Sequence, residues 1–264
     1  MPTSTEANIT FKIMTFNLRN GNDAWERRRP INSACLSATN PDIIGTQEGF
    51  YNQIKDIAAS QPQYAWIGTG RDGGSRGEFM AVFYKIERFE PLEFDHFWLS
   101  DTPNEIASST WGNACRRMVT WVKFRDLHTG KDFYFWNTHL DHQSQFAREK
   151  SAELISQRVQ SLGTDLPIIL VGDFNAYSHQ NKTYEILING GFTDAWTTAE
   201  QHIGPNFASF HSYGTPIPDG PHIDWILSKG PVKSHDIQIV NFSQNGQYPS
   251  DHFPIMATVS LNNS

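Results

Sequence analysis

Four apolar, strand-length runs of this chain end in short clusters of carboxylate, amide and imidazole side chains. The clusters cover residues 47–48, 137–142, 172–175 and 250–252. Because ligands in α/β proteins bind beyond the carboxyl ends of strands, we expect the four clusters to meet in one site. Oxygen and imidazole donors without cysteine suit a hard divalent cation that acts on a phosphate ester. The pattern therefore predicts a hydrolase.

Length and charge restrict the class of protein further. The chain has 264 residues, of which 38% are hydrophobic, and no linker rich in Pro, Gly or Ser divides it. We predict a flexible N-terminal segment over residues 1–9 and a single catalytic domain over residues 10–264. The formal net charge of -7 gives no general attraction to a polyanion, which disfavours a dedicated binder of duplex DNA.

Signals for disulfides, export and membranes are weak. Cys35 and Cys115 are too few for a disulfide framework, and we expect ordinary buried thiols, with a single bridge left open. The first ten residues show no signal peptide. The sequence contains no apolar run of about 18 residues, so no membrane span is predicted. Cytoplasmic and secreted locations both stay open, and we expect a monomer.

The order of apolar runs predicts an α/β architecture. Residues 11–16, 24–38 and 42–47 indicate a β-α-β opening, and helical spacing marks residues 146–162 and 182–189. Many strands with few helices favour two sheets packed face to face with helices outside. The remaining predicted strands cover residues 64–68, 79–85, 94–99, 118–124, 133–138, 166–171, 223–227, 237–242 and 254–260.

Asp173 and Asn175 closely follow an uninterrupted apolar run, residues 166–171, which suits a strand that is buried on both faces. An extended backbone would direct both side chains to the same side. A carboxylate there can deprotonate a water, while the amide donates to a phosphoryl oxygen as charge builds. Asp-x-Asn is also an ordinary turn signal, so a surface turn is the alternative. The presence of three other polar clusters at strand ends favours a catalytic site over a surface turn.

The imidazoles allow more than one interpretation. His252 is a candidate phosphate ligand or general acid, and Asp224 could raise its pKa and orient the ring. His139 and His142, with Asp141 between them, raise the alternative of zinc, which the absence of a His-Glu-x-x-His helix and of paired cysteines makes the weaker choice. No Gly-x-Ser-x-Gly elbow supports a serine hydrolase, and no nucleotide-binding fingerprint follows the first strand.

In their order, these motifs resemble the endonuclease/exonuclease/phosphatase superfamily over nearly the whole chain. Residues 137–142, with Arg117 and Gly77-Glu78, are similar to a bacterial subgroup. The resemblance implies a deoxyribonuclease-I-like fold, a four-layered α/β/β/α sandwich with two mixed β-sheets. The motifs are Thr15-Phe16-Asn17, Gln47-Glu48, Asn137-Thr138-His139, Gly172-Asp173-Phe174-Asn175, Ile223-Asp224 and Ser250-Asp251-His252-Phe253-Pro254.

The resemblance also implies a cofactor, Mg²⁺ or Mn²⁺. Glu48 would hold the metal, with Asn17 and Asp251 near it. Many nuclease relatives carry an acidic residue two positions after the first-strand asparagine, where this chain has Arg19. This departure puts a second metal in doubt and favours Arg19 as a substrate anchor.

Carried over by position, the remaining matched residues take catalytic roles. Asp173 would activate the attacking water, and Asn175 would stabilise the transition state. His252, supported by Asp224, and His139 would bind non-bridging oxygens or protonate the leaving group.

Three hypotheses about function follow. The favoured one is a phosphodiesterase or phosphatase that acts on small, carbohydrate-derived or lipid-derived phosphate esters, with Arg117 and His142 binding substrate. The second is a nuclease, which should carry more basic residues than Arg27-Arg28-Arg29 and Arg116-Arg117. The third, a binding protein that has lost catalysis, is disfavoured because every matched position holds a competent side chain.

Overall fold

The computed structural model describes residues 10–21 and 24–262, so the predicted N-terminal segment 1–9 lies outside the described residues. The helices are α1 Trp25–Thr39, α2 Tyr51–Ser60, α3 Gln145–Ser161, α4 Lys182–Asn189 and α5 Ala195–Thr198. The strands are β1 Thr10–Asn17, β2 Ile43–Gln47, β3 Tyr64–Ile67, β4 Val82–Lys85, β5 Phe89–Trp98, β6 Met118–Asp126, β7 Asp132–His139, β8 Ile168–Asp173, β9 Thr193–Asp194, β10 Gln201–His202, β11 Asp224–Lys229, β12 Val232–Ile239 and β13 Ile255–Leu261.

These strands form two mixed sheets. One sheet has the order β10-β12-β13-β1-β2-β4-β3, and the other has the order β5-β6-β7-β8-β11-β9. Each sheet contains one β-α-β unit with parallel strands, β1-α1-β2 in the first sheet and β7-α3-β8 in the second. The predicted β-α-β opening is therefore confirmed, and so are the two mixed sheets.

The two sheets pack face to face because their strands are apolar on both faces. Ile13 of β1 and Val171 of β8 belong to the core between the sheets. Their neighbours point the other way, so that Met14 packs under α1 and α2, and Leu170 packs under α3 and α4. This alternation follows from the two-residue period of a strand. It produces the four-layered α/β/β/α sandwich that was predicted.

Helix α2 was not predicted, because its buried side consists of only three residues. Gln53, Ile54 and Ile57 face the interior, and the Gln53 side chain closes the first turn by accepting from the Phe50 N–H at 2.9 Å. The strand predicted over residues 79–85 begins only at Val82. Among the described residues, no helix is long and apolar enough to cross a membrane.

Candidate active site

The loops that carry the predicted clusters converge because of the directions of the strands. The parallel strands β1 and β2 end at the same edge of the sandwich as β7 and β8, so that Asn17 of β1 lies 2.8 Å from Asp173 of β8. Strands β11 and β13 run antiparallel to β8 and β1 and therefore begin at this edge. Asp224 is the first residue of β11, and Asp251 and His252 shortly precede β13.

Behind this edge, two amide side chains join the sheets. Gln47 Nε2 donates to Asn137 Oδ1 at 2.7 Å. Asn137 Nδ2 donates to the carbonyl oxygens of Thr46 at 2.8 Å and Ala81 at 2.9 Å. A Cβ atom at Gly45 would lie only 2.9 Å from Asn137 Oδ1, so glycine is needed for this close approach. Gln47 and Asn137, members of the predicted clusters, thus hold the sheets together.

All eleven predicted site residues come together around one cavity of about 360 Å³. Asn17 and Asp224 lie behind its wall. Asn17 Nδ2 donates to Glu48 Oε1 at 3.1 Å and to Asp173 Oδ2 at 2.8 Å, and Asp224 Oδ2 lies 2.9 Å from His252 Nδ1. The other predicted residues line the cavity itself, namely Arg19, Glu48, Arg117, His139, His142, Asp173, Asn175, Asp251 and His252.

One part of the cavity has the donors of a metal site. Ligand atoms of Glu48, His139 and Asp173 lie within 4.8 Å of one another. Carboxylate oxygens with one imidazole fit Mg²⁺ or Mn²⁺. Asn17 turns its amide nitrogen toward the carboxylates, while its oxygen accepts from the Arg19 N–H at 2.9 Å. Asn17 therefore orients Glu48 and Asp173 here, and its role as a ligand stays a prediction.

Three site residues have a left-handed backbone, with φ of 53° at Arg19, 62° at Glu48 and 49° at Asn175. Such strain is concentrated at functional sites. The Asn175 N–H donates to Asp173 Oδ1 at 2.9 Å, which closes a turn. The prediction of an extended backbone from Asp173 to Asn175 is therefore wrong. A tight turn, and not strand alternation, brings both side chains to the cavity.

Two of the three histidines that line the cavity, His139 and His252, differ in protonation. Burial and the charge of Arg117 hold the pKa of His139 well below its usual value, so the ring is neutral, with Nε2 3.0 Å from Asn175 Nδ2. Burial alone would lower the pKa of His252, but the charge and hydrogen bond of Asp224 outweigh it and raise that pKa to about 10. His252 is thus a cation beside a neutral His139.

Asp173 lies between these imidazoles. Its Oδ2 is 3.4 Å from His139 Nε2 and 3.8 Å from His252 Nε2. Burial and the charge of Asp224 raise the pKa of Asp173 to about 7, against the opposing effect of His252. A carboxylate with this pKa has the proton affinity that a general base needs near neutral pH.

Arg71 and Glu78 also line the cavity, and neither was predicted as a site residue. Arg71 Nη1 pairs with Glu78 Oε2 at 2.6 Å, and Glu78 is only 7% exposed. The loop over residues 71–78 thus carries a wall of the site. Its glycine-rich sequence has no periodicity from which that position could be found. Asn20 and Phe210 also lie in irregular segments and were missed, whereas Ile223 was predicted only as the start of a strand.

Arg117 is the most buried cation of the cavity, at 3% exposure. Its Nη2 lies 3.1 Å from His142 Nδ1, and its Nε lies 3.9 Å from Asp141 Oδ2. Its Nε and Nη1 have no hydrogen-bond partner among the described residues. Burying a guanidinium in this way is unfavourable unless something binds it.

The cysteines differ from the prediction in one respect. Both are free thiols, as expected, and Cys35 is buried. Cys115 is partly exposed and lines the cavity, so its assignment as a buried thiol was wrong.

Comparisons with known proteins agree with this geometry. A model of the Endonuclease/Exonuclease/phosphatase family matches residues 14–252. An endonuclease/exonuclease/phosphatase from Bacteroides vulgatus is 32% identical, covers 96% of this chain and 100% of its own, and superposes with a TM-score of 0.89. A mannosyl-6-phosphatase from Bacteroides thetaiotaomicron is 31% identical, with 95% and 100% covered and a TM-score of 0.87.

More distant structures share the fold alone. TDP2 from D. rerio, complexed with a single strand DNA product, is 15% identical, with 95% and 99% covered and a TM-score of 0.75. The structures that match thus include a phosphatase and a protein that holds a single strand DNA product. The predicted resemblance is confirmed: this chain is a phosphoester hydrolase and belongs to the endonuclease/exonuclease/phosphatase family.

Proposed function

We propose that the protein is a divalent-metal-dependent phosphatase that releases phosphate from small, polyhydroxylated phosphate esters, in particular sugar phosphates. The observation that carries this proposal is Arg117, a buried guanidinium in the lining of the catalytic cavity, two of whose nitrogens make no hydrogen bond among the described residues. Glu78, held by Arg71, adds an acceptor to the same wall. Donors and acceptors side by side suit hydroxyl groups, which both give and accept hydrogen bonds. The likeness to a mannosyl-6-phosphatase supports this substrate class.

Asp173 acts as the general base in this proposal. It takes a proton from water while the water oxygen attacks phosphorus and the bond to the ester oxygen breaks in line. The leaving oxygen takes up a proton, from His252 or from solvent, and departs as the alcohol. Protonated His252 donates to a non-bridging oxygen, where negative charge grows in the transition state. Asn175 Nδ2 lies 3.0 Å from Nε2 of neutral His139 and orients that ring beside the reacting phosphate. Asp224 keeps His252 protonated and oriented through the 2.9 Å contact with Nδ1.

Glu48, with Asp251 near it, would hold Mg²⁺ or Mn²⁺ in this proposal, which leaves Asp173 free to accept the proton. When bound, the cation supplies positive charge to the phosphoryl oxygens. Arg19 Nη1 lies 3.7 Å from Asp251 Oδ2, so the place of a second acidic residue is taken by a cation that binds the substrate's phosphate.

The nuclease hypothesis has less support, because most of the arginines in the basic clusters are ion-paired or buried. Arg29 pairs with Glu26 at 3.2 Å, and Arg116 pairs with Asp72 at 3.0 Å. Arg28 is 5% exposed and so cannot grip a nucleic-acid backbone. With a net charge of -7, few cations remain for a polyanion.

A substrate panel tests the proposal. Hexose phosphates, p-nitrophenyl phosphate, bis-p-nitrophenyl phosphate, single-stranded DNA and plasmid are assayed with the metal-loaded enzyme. We expect the highest kcat/KM on hexose phosphates. Nicking of plasmid at a comparable kcat/KM would select the nuclease instead.

Arg117 has a matched control in its exposed neighbour. Arg117→Gln should lower kcat/KM on hexose phosphates by roughly tenfold or more, since a charged hydrogen bond is lost. Arg116→Gln, which changes a side chain that is 51% exposed, should stay within about twofold of the wild type. Equal effects of the two substitutions would contradict a role of Arg117 in substrate binding.

A further inference from the structure

A second groove, the aromatic shelf, adjoins the catalytic cavity. It is lined by Tyr177, Phe210 and Ile217, among others, and has a volume of about 490 Å³. Asn175, Phe210 and Ile223 line both the cavity and the shelf. Because the two spaces share these walls, a ligand with its phosphate in the cavity can extend onto the shelf.

The shelf exposes large apolar side chains beside the catalytic groups. Tyr177 is 52% exposed, Phe210 is 43% exposed and Ile217 is 57% exposed. Single exposed apolar residues are normal, but several along one groove mark a binding surface. The Phe210 ring centroid lies 4.9 Å from that of His252, so the shelf begins at a catalytic imidazole. Its position indicates a part of the substrate beyond the reacting phosphate.

The character of the shelf restricts what it binds. An acyl chain would leave much of its apolar surface in water on a groove whose own side chains stay half exposed. A nucleic-acid strand would need cations, and the cation of this groove is Arg148. Arg148 already donates to the Asp141 carbonyl and to Gln145 Oε1, each at 2.8 Å. A sugar ring fits better, because one face is apolar and can lie on an aromatic ring while its hydroxyls stay in water.

We propose that the aromatic shelf binds a second sugar residue, so that the preferred substrates are phosphorylated oligosaccharides and not free monosaccharide phosphates. This inference rests on the proposed function, because the phosphate must occupy the catalytic cavity. It assigns to Tyr177 and Phe210 the recognition of the ring next to the phosphorylated one.

The test compares two substrates by phosphate release, mannose 6-phosphate and a mannobiose that carries the same phosphate on its non-reducing ring. The wild type should prefer the mannobiose phosphate in kcat/KM. Tyr177→Ala should reduce this preference about tenfold, mainly through the KM of the larger substrate. The control is Phe94→Ala, which removes an aromatic ring that is 58% exposed on β5 and should leave the preference unchanged.

Binding of unphosphorylated mannobiose, followed by saturation-transfer NMR, separates the two proposals. If sugar phosphates are not hydrolysed but mannobiose binds in a Tyr177-dependent way, the proposed function is wrong, while the assignment of the shelf as a sugar-binding site is supported. If both sugar phosphates are hydrolysed with one kcat/KM, and Tyr177→Ala changes neither that ratio nor mannobiose binding, the shelf assignment is overturned. A preference that depends on Tyr177 only for lipid phosphates or dinucleotides would also overturn it.

Discussion

Replacing Asn137 tests how the two sheets are held at the site. Asn137→Ala removes the bond from Gln47 at 2.7 Å and the bonds to the carbonyls of Thr46 and Ala81 at 2.8 and 2.9 Å. A buried hydrogen bond contributes about 1 kcal/mol, so we expect the free energy of unfolding to fall by about 3 kcal/mol. The Ala81 carbonyl also accepts from the Thr46 N–H and therefore keeps one partner.

Asn137→Asp adds a pH dependence with a defined sign. The carboxylate has the shape of the amide, but its oxygens would face the two carbonyls to which the amide donates. Burial should raise the pKa of this carboxyl above its value of about 3.9 in the unfolded chain. The unfolded state then binds fewer protons than the folded state, so the penalty relative to the wild type grows as pH rises. We expect Asn137→Asp to be less stable at pH 8 than at pH 5, relative to the wild type.

Urea unfolding followed by tryptophan fluorescence measures both effects. The control is Asn189→Ala at the end of α4, where the side chain is exposed and a change within about 0.5 kcal/mol is expected. A loss below about 1 kcal/mol for Asn137→Ala would refute the role of this amide in joining the sheets. So would equal penalties for Asn137→Asp at the two pH values.

Three further predictions concern the base, the metal and a buried histidine. Asp173→Asn should lower turnover by about a hundredfold or more with an unchanged circular dichroism spectrum, and a near-wild-type rate would remove Asp173 as the base. EDTA should abolish phosphate release, and added Mg²⁺ or Mn²⁺ should restore it; activity that persists in EDTA would contradict a metal. Burial lowers the pKa of His211 to about 4, from 6.5, so the unfolded chain binds more protons between these values and stability should fall by at most about 3 kcal/mol as pH drops through them. His211→Phe should flatten this part of the curve of urea midpoint against pH. An unchanged slope would contradict the assignment of this pH dependence to His211.

The sequence predicts most of the architecture because strands and strand ends are local features. Residues 168–173 are buried on both faces of a sheet, and such a strand appears in the sequence as an uninterrupted apolar run. The polar residue that follows each run then indicates the edge where ligands bind. All eleven candidate residues lie at this edge, although their catalytic roles stay predictions.

The end of a strand is easier to predict than which of its side chains the second sheet covers. Asn137 and His139 are two residues apart and share a face of β7, yet Asn137 lies between the sheets while His139 lines the cavity. Two residues correspond to about 6.6 Å along a strand. Only the position of the second sheet decides which of the two side chains is covered, and the sequence of β7 does not contain that position.

Walls built by irregular loops are harder still. Arg71 and Glu78 reach the cavity beside Arg117, about forty residues further along the chain, and Tyr177 and Phe210 meet on the shelf from separate loops. No periodicity relates such residues, because each depends on where another segment packs. The residues to which we assign substrate recognition are therefore the ones that local patterns predict least well.

Arg28 shows how a sequence pattern can suggest the wrong use of a charge. In the sequence it belongs to a basic triplet that suits a solvated helix face or an ion pair. In the fold its guanidinium donates to the carbonyls of Leu18, Arg19 and Asn20 at 2.7 to 3.1 Å, and to that of Pro249 at 3.2 Å. These carbonyls belong to the two loops that present Arg19 and Asp251 to the cavity. A planar guanidinium can serve several acceptors at once, which a lysine cannot do in the same geometry. The strained backbone at Arg19 is thus maintained by a charge buried behind the cavity, and a member of the basic triplet supports the loops of the candidate site.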